Sequence, residues 1–321
     1  MNVTLYAISK NEEKNIEKFV ENAKKFYHTV VVDTGSTDNT VQLLKDAGIE
    51  VYEHPQAKDE FDFSKARNQA LSYVKTDWAF SLDFNEDVDD FYPDNLDFIS
   101  NDLTSFRHLR YDDENGEIKQ SDEVHIRFHR TENYEWTNAV HEVPHFKSTN
   151  KFLVESTVDS SVKITKKVKT SISKELFYLS ICERELEKDP QNWYYIWFIF
   201  NHHFKVQNIP KALEYGQKFL NHSQAYQNSF RINVFIKCSV LFLKSNQIQE
   251  SANYAFHALS ESMNFGGDVL GSAFINLLYI GKVTQNPNII VFASGFNSET
   301  LTLPERAEAI KKLHSSLKND D

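Results

Sequence analysis

Leu82-Asp83-Phe84-Asn85-Glu86-Asp87 follows the aromatic-rich run at 78–81 and carries the residue types that hold hard cations. In extended backbone, residues i and i+2 project to the same side. Asp83 and Asn85 are therefore expected to address one ion through oxygen. Such an ion would bridge two phosphates and neutralise a departing diphosphate. The plain alternative is an acidic loop at a strand end. Asp33-Thr34-Gly35-Ser36-Thr37-Asp38 follows a β-branched run at 29–32. An aspartate there can accept from a base or ribose donor, and Gly35 permits close backbone approach. Ser36, Thr37 or Asp38 can also cap the next helix, and a cap and turn alone would use the same residues. Arg67 and Asn68 stand early on a helical stretch. Arg67 suits a bidentate contact to a diphosphate or an ordinary ion pair. Val140-His141-Glu142 sets a histidine beside a carboxylate. His141 suits a metal ligand or phosphate donor, and Glu142 a general base or a group that orients His141.

These segments need a frame. Apolar runs at 4–9, 29–32, 49–52 and 78–82 read as strands, and helical spacing joins them at 11–23, 38–47 and 63–74. Strand–helix alternation implies an α/β domain with a mostly parallel sheet covered on both faces. Ligands of such sheets bind beyond the carboxyl ends of the strands. The polar motifs at 9–13, 33–38 and 83–87 all fall there. Residues 105–165 read as strands and loops, with alternation at 124–130. From Ser171 the pattern becomes helical, at 176–186, 192–206 and 210–220, with pairs recurring through 282. Pro210 is tolerated in a first turn. Ala212-Leu213-Glu214-Tyr215 and Ala252-Asn253-Tyr254-Ala255-Phe256 lie about 40 residues apart, which fits either a short tetratricopeptide-like array or a plain bundle. The expected division is a catalytic domain at 1–168 and a helical domain at 169–321.

The chain has 321 residues, 40% hydrophobic, with a net charge of −11. An acidic surface repels phosphate backbones and argues against nucleic acid as a partner. The basic run at 163–169 reads as a solvated strand or linker. Cys182 and Cys238 lie in apolar helical stretches, so buried reduced thiols and a cytoplasmic, reducing setting are expected. Residues 1–6 read as a strand rather than a signal peptide. No apolar run approaches the roughly 20 residues of a membrane span, leaving at most peripheral membrane contact. With nine glycines and no Gly-x-Gly-x-x-Gly after a strand, a dinucleotide-dependent oxidoreductase is disfavoured.

In order, Ile8-Ser9-Lys10-Asn11-Glu12-Glu13, Val31-Val32-Asp33-Thr34-Gly35-Ser36-Thr37-Asp38-Asn39-Thr40, Ala66-Arg67-Asn68, Leu82-Asp83-Phe84-Asn85-Glu86 and Val140-His141-Glu142 resemble family 2 glycosyltransferases of GT-A fold. The likeness is to the subgroup of lipopolysaccharide-core glucosyltransferases and bacteriocin S-glycosyltransferases. It implies a Rossmann-like GT-A domain followed by an all-α, tetratricopeptide-like domain. It further implies inverting transfer of a hexose, by default glucose, from a UDP-sugar with Mg²⁺ or Mn²⁺. On this resemblance Asp33 would contact the nucleobase. Ala7, Ser9, Glu12, Gly35 and Asn68 would line the nucleotide pocket, and Arg67 would lie near the diphosphate or ribose. Asp83 and Asn85 fall on the family's Asp-x-Asp metal motif, and His141 matches a metal-proximal histidine. Glu142 is the candidate base, with Glu86 and Asp87 as rivals. The sequence departs from the pattern at Asn85, which lacks the second charge, and at Phe84, which would narrow the pocket. A further histidine of the family has no counterpart at 162–166. The sequence does not identify the acceptor, and a glycan, a lipid-linked glycan and a protein side chain all stay open. The helical domain would select it or mediate a homodimer. The competing reading, prompted by Asn85, is a weak or inactive nucleotide-sugar-binding module acting through its helices.

Overall fold

Strands buried on both faces must be apolar at successive positions, and Val3–Ser9 (β1) and His28–Asp33 (β2) are. The computed structural model describes residues 2–89, 91, 103–114, 117–149, 157–167, 171–222, 230–262 and 267–285. The chain divides into two compact units, Met1–Ile181 and Cys182–Asp321. The expected boundary at 168/169 and the end of the basic run, Val168 and Lys169, lie outside the described residues.

In the first unit the further strands are Glu50–Glu53 (β3), Trp78–Ser81 (β4), Glu86–Asp89 (β5), Ser105–Glu114 (β6), Glu117–Arg130 (β7), Tyr134–Thr137 (β8), Val143–Phe146 (β9) and Thr157–Lys167 (β10). Eight form one sheet in the order β3-β2-β1-β4-β7-β6-β10-β5, and β8 pairs with β9. Alternate side chains divide between two cores. Leu5, Val31 and Phe80 meet Phe19 of Ile16–Ala23 (α1) and Leu44 of Thr40–Asp46 (α2). Tyr6, Val30, Val32 and Ala79 meet Ala70 and Leu71 of Phe63–Ser72 (α3). Both faces are covered, as the GT-A resemblance implies. The sheet is mixed rather than mostly parallel. β3, β2, β1 and β4 run parallel, whereas β7 is antiparallel to both β4 and β6. β6 and β7 pair in antiparallel out to Glu114 and Glu117.

Ile172–Lys188 (α4) crosses from one unit to the other. Trp193–Lys205 (α5), Ile209–Leu220 (α6), Phe230–Lys244 (α7), Ile248–Ser262 (α8) and Gly267–Thr284 (α9) follow, each packed on the next. Their core includes Phe200, Phe219, Cys238, Leu241, Ala258 and Leu277. Both cysteines are buried and free, as expected. Gln207, Asn246 and Gln285 recur at equal intervals and carry φ of 57°, 58° and 51°. Each sits just past a helix end, where a left-handed residue reverses the chain. Among the described residues no helix is long and apolar enough to cross a membrane.

Gly216 sets how closely α6 packs. A Cβ there would lie 2.6 Å from Cys238 Sγ and 3.0 Å from Phe200 Cε2. Overpacking of this kind costs about 1–3 kcal/mol. Gly216→Val is therefore expected to lower the urea midpoint of the helical unit by a matching amount, with little change in slope.

Candidate functional site

The ends of β1 and β2 are tied by side chains. Ser9 and Asp33 are register partners. Asp33 Oδ1 accepts from the amides of Gly35 (2.9 Å) and Ser36 (2.8 Å), and Oδ2 accepts from Ser9 Oγ (2.8 Å) and Ser36 Oγ (2.5 Å). A carboxylate offers about four lone-pair sites, and the loop uses them all. Asp33 organises the turn, which Gly35 permits with φ of 108°. The next residues lace the two loops together. Ser36 Oγ accepts from the Asn11 amide (2.8 Å), Asn11 Oδ1 from the Thr37 amide (2.7 Å), and Thr40 Oγ1 from the Glu12 amide (2.8 Å). Ala7 is fully buried within the core, so it backs the loops rather than lining an open pocket. Burial raises the Glu12 carboxyl above its ordinary value, and the charge of Asp83 adds to the rise.

Arg67 is the centre of the site. Its Nη2 donates to Asp83 Oδ1 (2.6 Å), its Nε to Glu142 Oε1 (2.6 Å) and its Nη1 to Ser81 Oγ (3.2 Å). The Trp136 ring covers the guanidinium at 4.9 Å. Burial alone would lower the Arg67 pKa, but Asp83 and Glu142 outweigh it and hold it above its usual value. Behind Trp136 runs a hydrogen-bond chain. Trp136 Nε1 donates to Tyr6 Oη (2.8 Å), which meets His129 Nε2 (2.8 Å), while His129 Nδ1 meets the Arg130 carbonyl (3.1 Å). A neutral imidazole protonated at Nδ1 satisfies every member. Asn68 gives both ends of its amide to the Trp136 backbone (2.8 Å each). It fixes β8 through these two bonds.

Asp83 to Glu86 form a turn, closed by the Glu86 amide on the Asp83 carbonyl (3.0 Å). The segment is therefore not extended, and the same-side argument for Asp83 and Asn85 fails. Asn85 Nδ2 donates to the Lys167 carbonyl (3.0 Å). Phe84 stacks on Phe19 at 4.0 Å within the core and narrows no pocket. Glu86 accepts from the Asp83 amide (3.0 Å) and pairs with Arg127 Nη2 (2.5 Å), with its side chain fully covered. That geometry removes Glu86 as a base. Asp87 pairs with Lys18 of α1 (2.5 Å) instead. His141, at φ of 54°, meets the Tyr178 ring edge-on at 5.4 Å between centroids.

Lys166 Nζ lies 3.3 Å from Asp83 Oδ2 and 3.4 Å from Glu86 Oε1. Asp83, Glu86 and Glu142 thus face Arg67, Arg127 and Lys166, three charges against three. Burial would raise the Asp83 carboxyl, but Arg67, Lys166 and Arg127 together hold it well below the carboxylate range. Asp83, Asn85 and His141 do not fit a divalent cation in this arrangement. Asp83 has both oxygens in ion pairs, and Asn85, which donates Nδ2 to the Lys167 carbonyl, brings an uncharged oxygen in place of a second carboxylate. Among the described residues no three His, Cys, Asp or Glu side chains are grouped to hold a metal.

Three site residues escaped the sequence reading. Arg127 sits in the alternating stretch of β7, where alternation signalled a strand and nothing more. Lys166 belongs to the basic run read as solvated. Tyr178, whose hydroxyl is pushed up to about 12 by burial and by Glu142 and Asp83, stands in a helix read only for its apolar spacing.

Residues 5–157 match the family described as Glycosyl transferase family 2. This segment is a family 2 glycosyltransferase domain. The SPbeta prophage-derived glycosyltransferase SunS of Bacillus subtilis (strain 168) is 24% identical over 266 residues, covering 77% of this chain and 60% of SunS. The chain thus spans about 60% of the length of that relative. An uncharacterized glycosyltransferase of Rickettsia typhi, RT0209, is 27% identical over 110 residues, 34% of this chain and 36% of that one. Among solved structures, S. aureus TarS 1-349 aligns with a TM-score of 0.47 at 16% identity, covering 78% of this chain and 89% of that one.

The His129 imidazole is lowered from 6.5 to about 4 by burial. The unfolded chain takes up this proton near its ordinary value and the folded chain only near 4. Stability is therefore expected to fall as pH drops from about 6.5 towards 4. His129→Gln should flatten that limb of a urea-denaturation series across pH, even if it lowers stability at neutral pH.

Proposed function

We propose that the chain transfers a hexose, glucose by default, from a UDP-linked donor to an acceptor with inversion. The observation that carries this is the pairing of Asp83 and Glu142 through one buried guanidinium at the carboxyl end of β4, inside a family 2 domain. Ligands of such sheets bind at this edge. Oε1 of Glu142 is held by Arg67, and Oε2 has no protein partner among the described residues. Glu142 is the base. Its Oε2 takes the proton from the acceptor as the acceptor's lone pair attacks the anomeric carbon. The bond from that carbon to the β-phosphate oxygen breaks, and its electron pair leaves with the diphosphate.

We read the C-terminal helices as tetratricopeptide-like hairpins that select the acceptor, a glycan, lipid-linked glycan or protein side chain. The repeated left-handed turns at Gln207, Asn246 and Gln285 support that reading. The two free cysteines support a reducing, cytoplasmic setting.

Release of nucleoside diphosphate from a panel of sugar nucleotides, with and without acceptor extracts, tests the proposal. Turnover is expected with a uridine-linked hexose. Glu142→Gln should lower kcat by about 10²–10⁴ while donor affinity changes little. Donor binding without turnover on any acceptor would favour the binding module, and no donor binding at all would overturn the proposal.

A further inference from the structure

We infer that Lys166, backed by Arg67 and Arg127, holds the donor diphosphate in the place of a divalent cation, so that donor binding does not require metal. The inference rests on the donor-site reading above. Its carrying observation is the position of the Lys166 ammonium, between Asp83 Oδ2 (3.3 Å) and Glu86 Oε1 (3.4 Å). A cation bound at Asp83 would occupy that same space. There it would meet two fixed positive charges, Arg67 and Arg127, and would have to displace Lys166, while Asn85 supplies no second negative one. Like charges at such short range repel strongly where water is scarce.

Exposure separates the roles of the three cations. The side chains of Arg67 and Arg127 are 6% and 7% exposed, whereas Lys166 is 26% and Asp83 24% exposed. The two guanidiniums are structural and stay with their carboxylates. Lys166 is a flexible point charge at the open edge. It can exchange Asp83 for phosphate oxygens while Arg67 keeps Asp83 paired. When the bond between the anomeric carbon and the β-phosphate oxygen breaks, its electron pair passes to the diphosphate. The Lys166 ammonium meets that added charge with hydrogen bonds it already makes. The acceptor proton goes to Glu142, so no further reactant is needed.

Isothermal titration calorimetry of UDP and UDP-glucose on the full chain, in EDTA and in Mn²⁺, tests this. The expected result is an affinity equal within about threefold in the two buffers. Lys166→Ala should weaken binding in EDTA by about tenfold or more, as loss of a charge-assisted hydrogen bond does. With Asp83 and Glu86 released, that variant should gain affinity on adding Mn²⁺. Lys166→Arg, which keeps the charge, should bind in EDTA with an intermediate affinity. Its circular dichroism and the wild-type comparison keep the test intact if the alanine variant does not fold. Wild-type binding that appears only with Mn²⁺ would overturn the inference and leave the donor site standing. Unchanged binding by a folded Lys166→Ala would also overturn it. Failure of a panel of nucleoside diphosphates to bind in either buffer would overturn the donor-site reading itself.

Discussion

Burying a guanidinium costs several kcal/mol unless its nitrogens find partners, and each of the three nitrogens of Arg67 finds one in a residue distant in sequence. Its planar fork reaches Glu142, Ser81 and Asp83 at once, with Trp136 over its face. α3, the end of β4 and the segment after β8 are thereby held in one geometry. Removing any partner would strand a charge in a covered place. The site is therefore a cooperative unit, and its supports are equally constrained. Asn68 locks the Trp136 backbone, and the Phe63 amide is held by the Ala139 carbonyl (2.8 Å). Both bonds bring Glu142 to the guanidinium.

A neutral set of three carboxylates and three cations has a further consequence. Arg67 and Arg127 are already oriented by their carboxylates, the condition under which fixed charges stabilise a developing charge at least cost. Fixed dipoles and charges do this best where water is limited. Phe61, Phe63, Phe177 and Tyr178, packed edge to face around α3 and α4, provide that covering on one side. The open edge is left to Lys166, Asp83 and Glu142.

The motif residues at 9–13 and 33–40 also hold the two strand-end loops together. The side chains of Asn11, Ser36 and Thr40 accept from the backbone amides of Thr37, Asn11 and Glu12. This is why short polar residues recur there: each replaces a backbone partner that the strand ends lose on leaving the sheet.

Much of the frame was legible before any coordinates. β-branched runs at β2 and apolar alternation between faces determine a covered parallel half-sheet, and Pro210 marks the start of α6 through local chemistry alone. Arg67 and Glu142 were also visible as chemically apt residues, but not as partners, because they are joined only by folding. The Asp83–Asn85 pair misled for a local reason. The same-side rule holds for extended backbone, and the turn closed by Glu86 on Asp83 ends the strand before it can apply. Lys166 was unreadable for the opposite reason. A lysine in a basic run carries no mark of what stands across from it, and only the pairing of β10 with β5 sets its ammonium beside Asp83 and Glu86. Sequence thus determined which residues can form strands, turns and charges. Tertiary structure decided which charges meet, because that depends on strand order across the sheet and not on spacing along the chain.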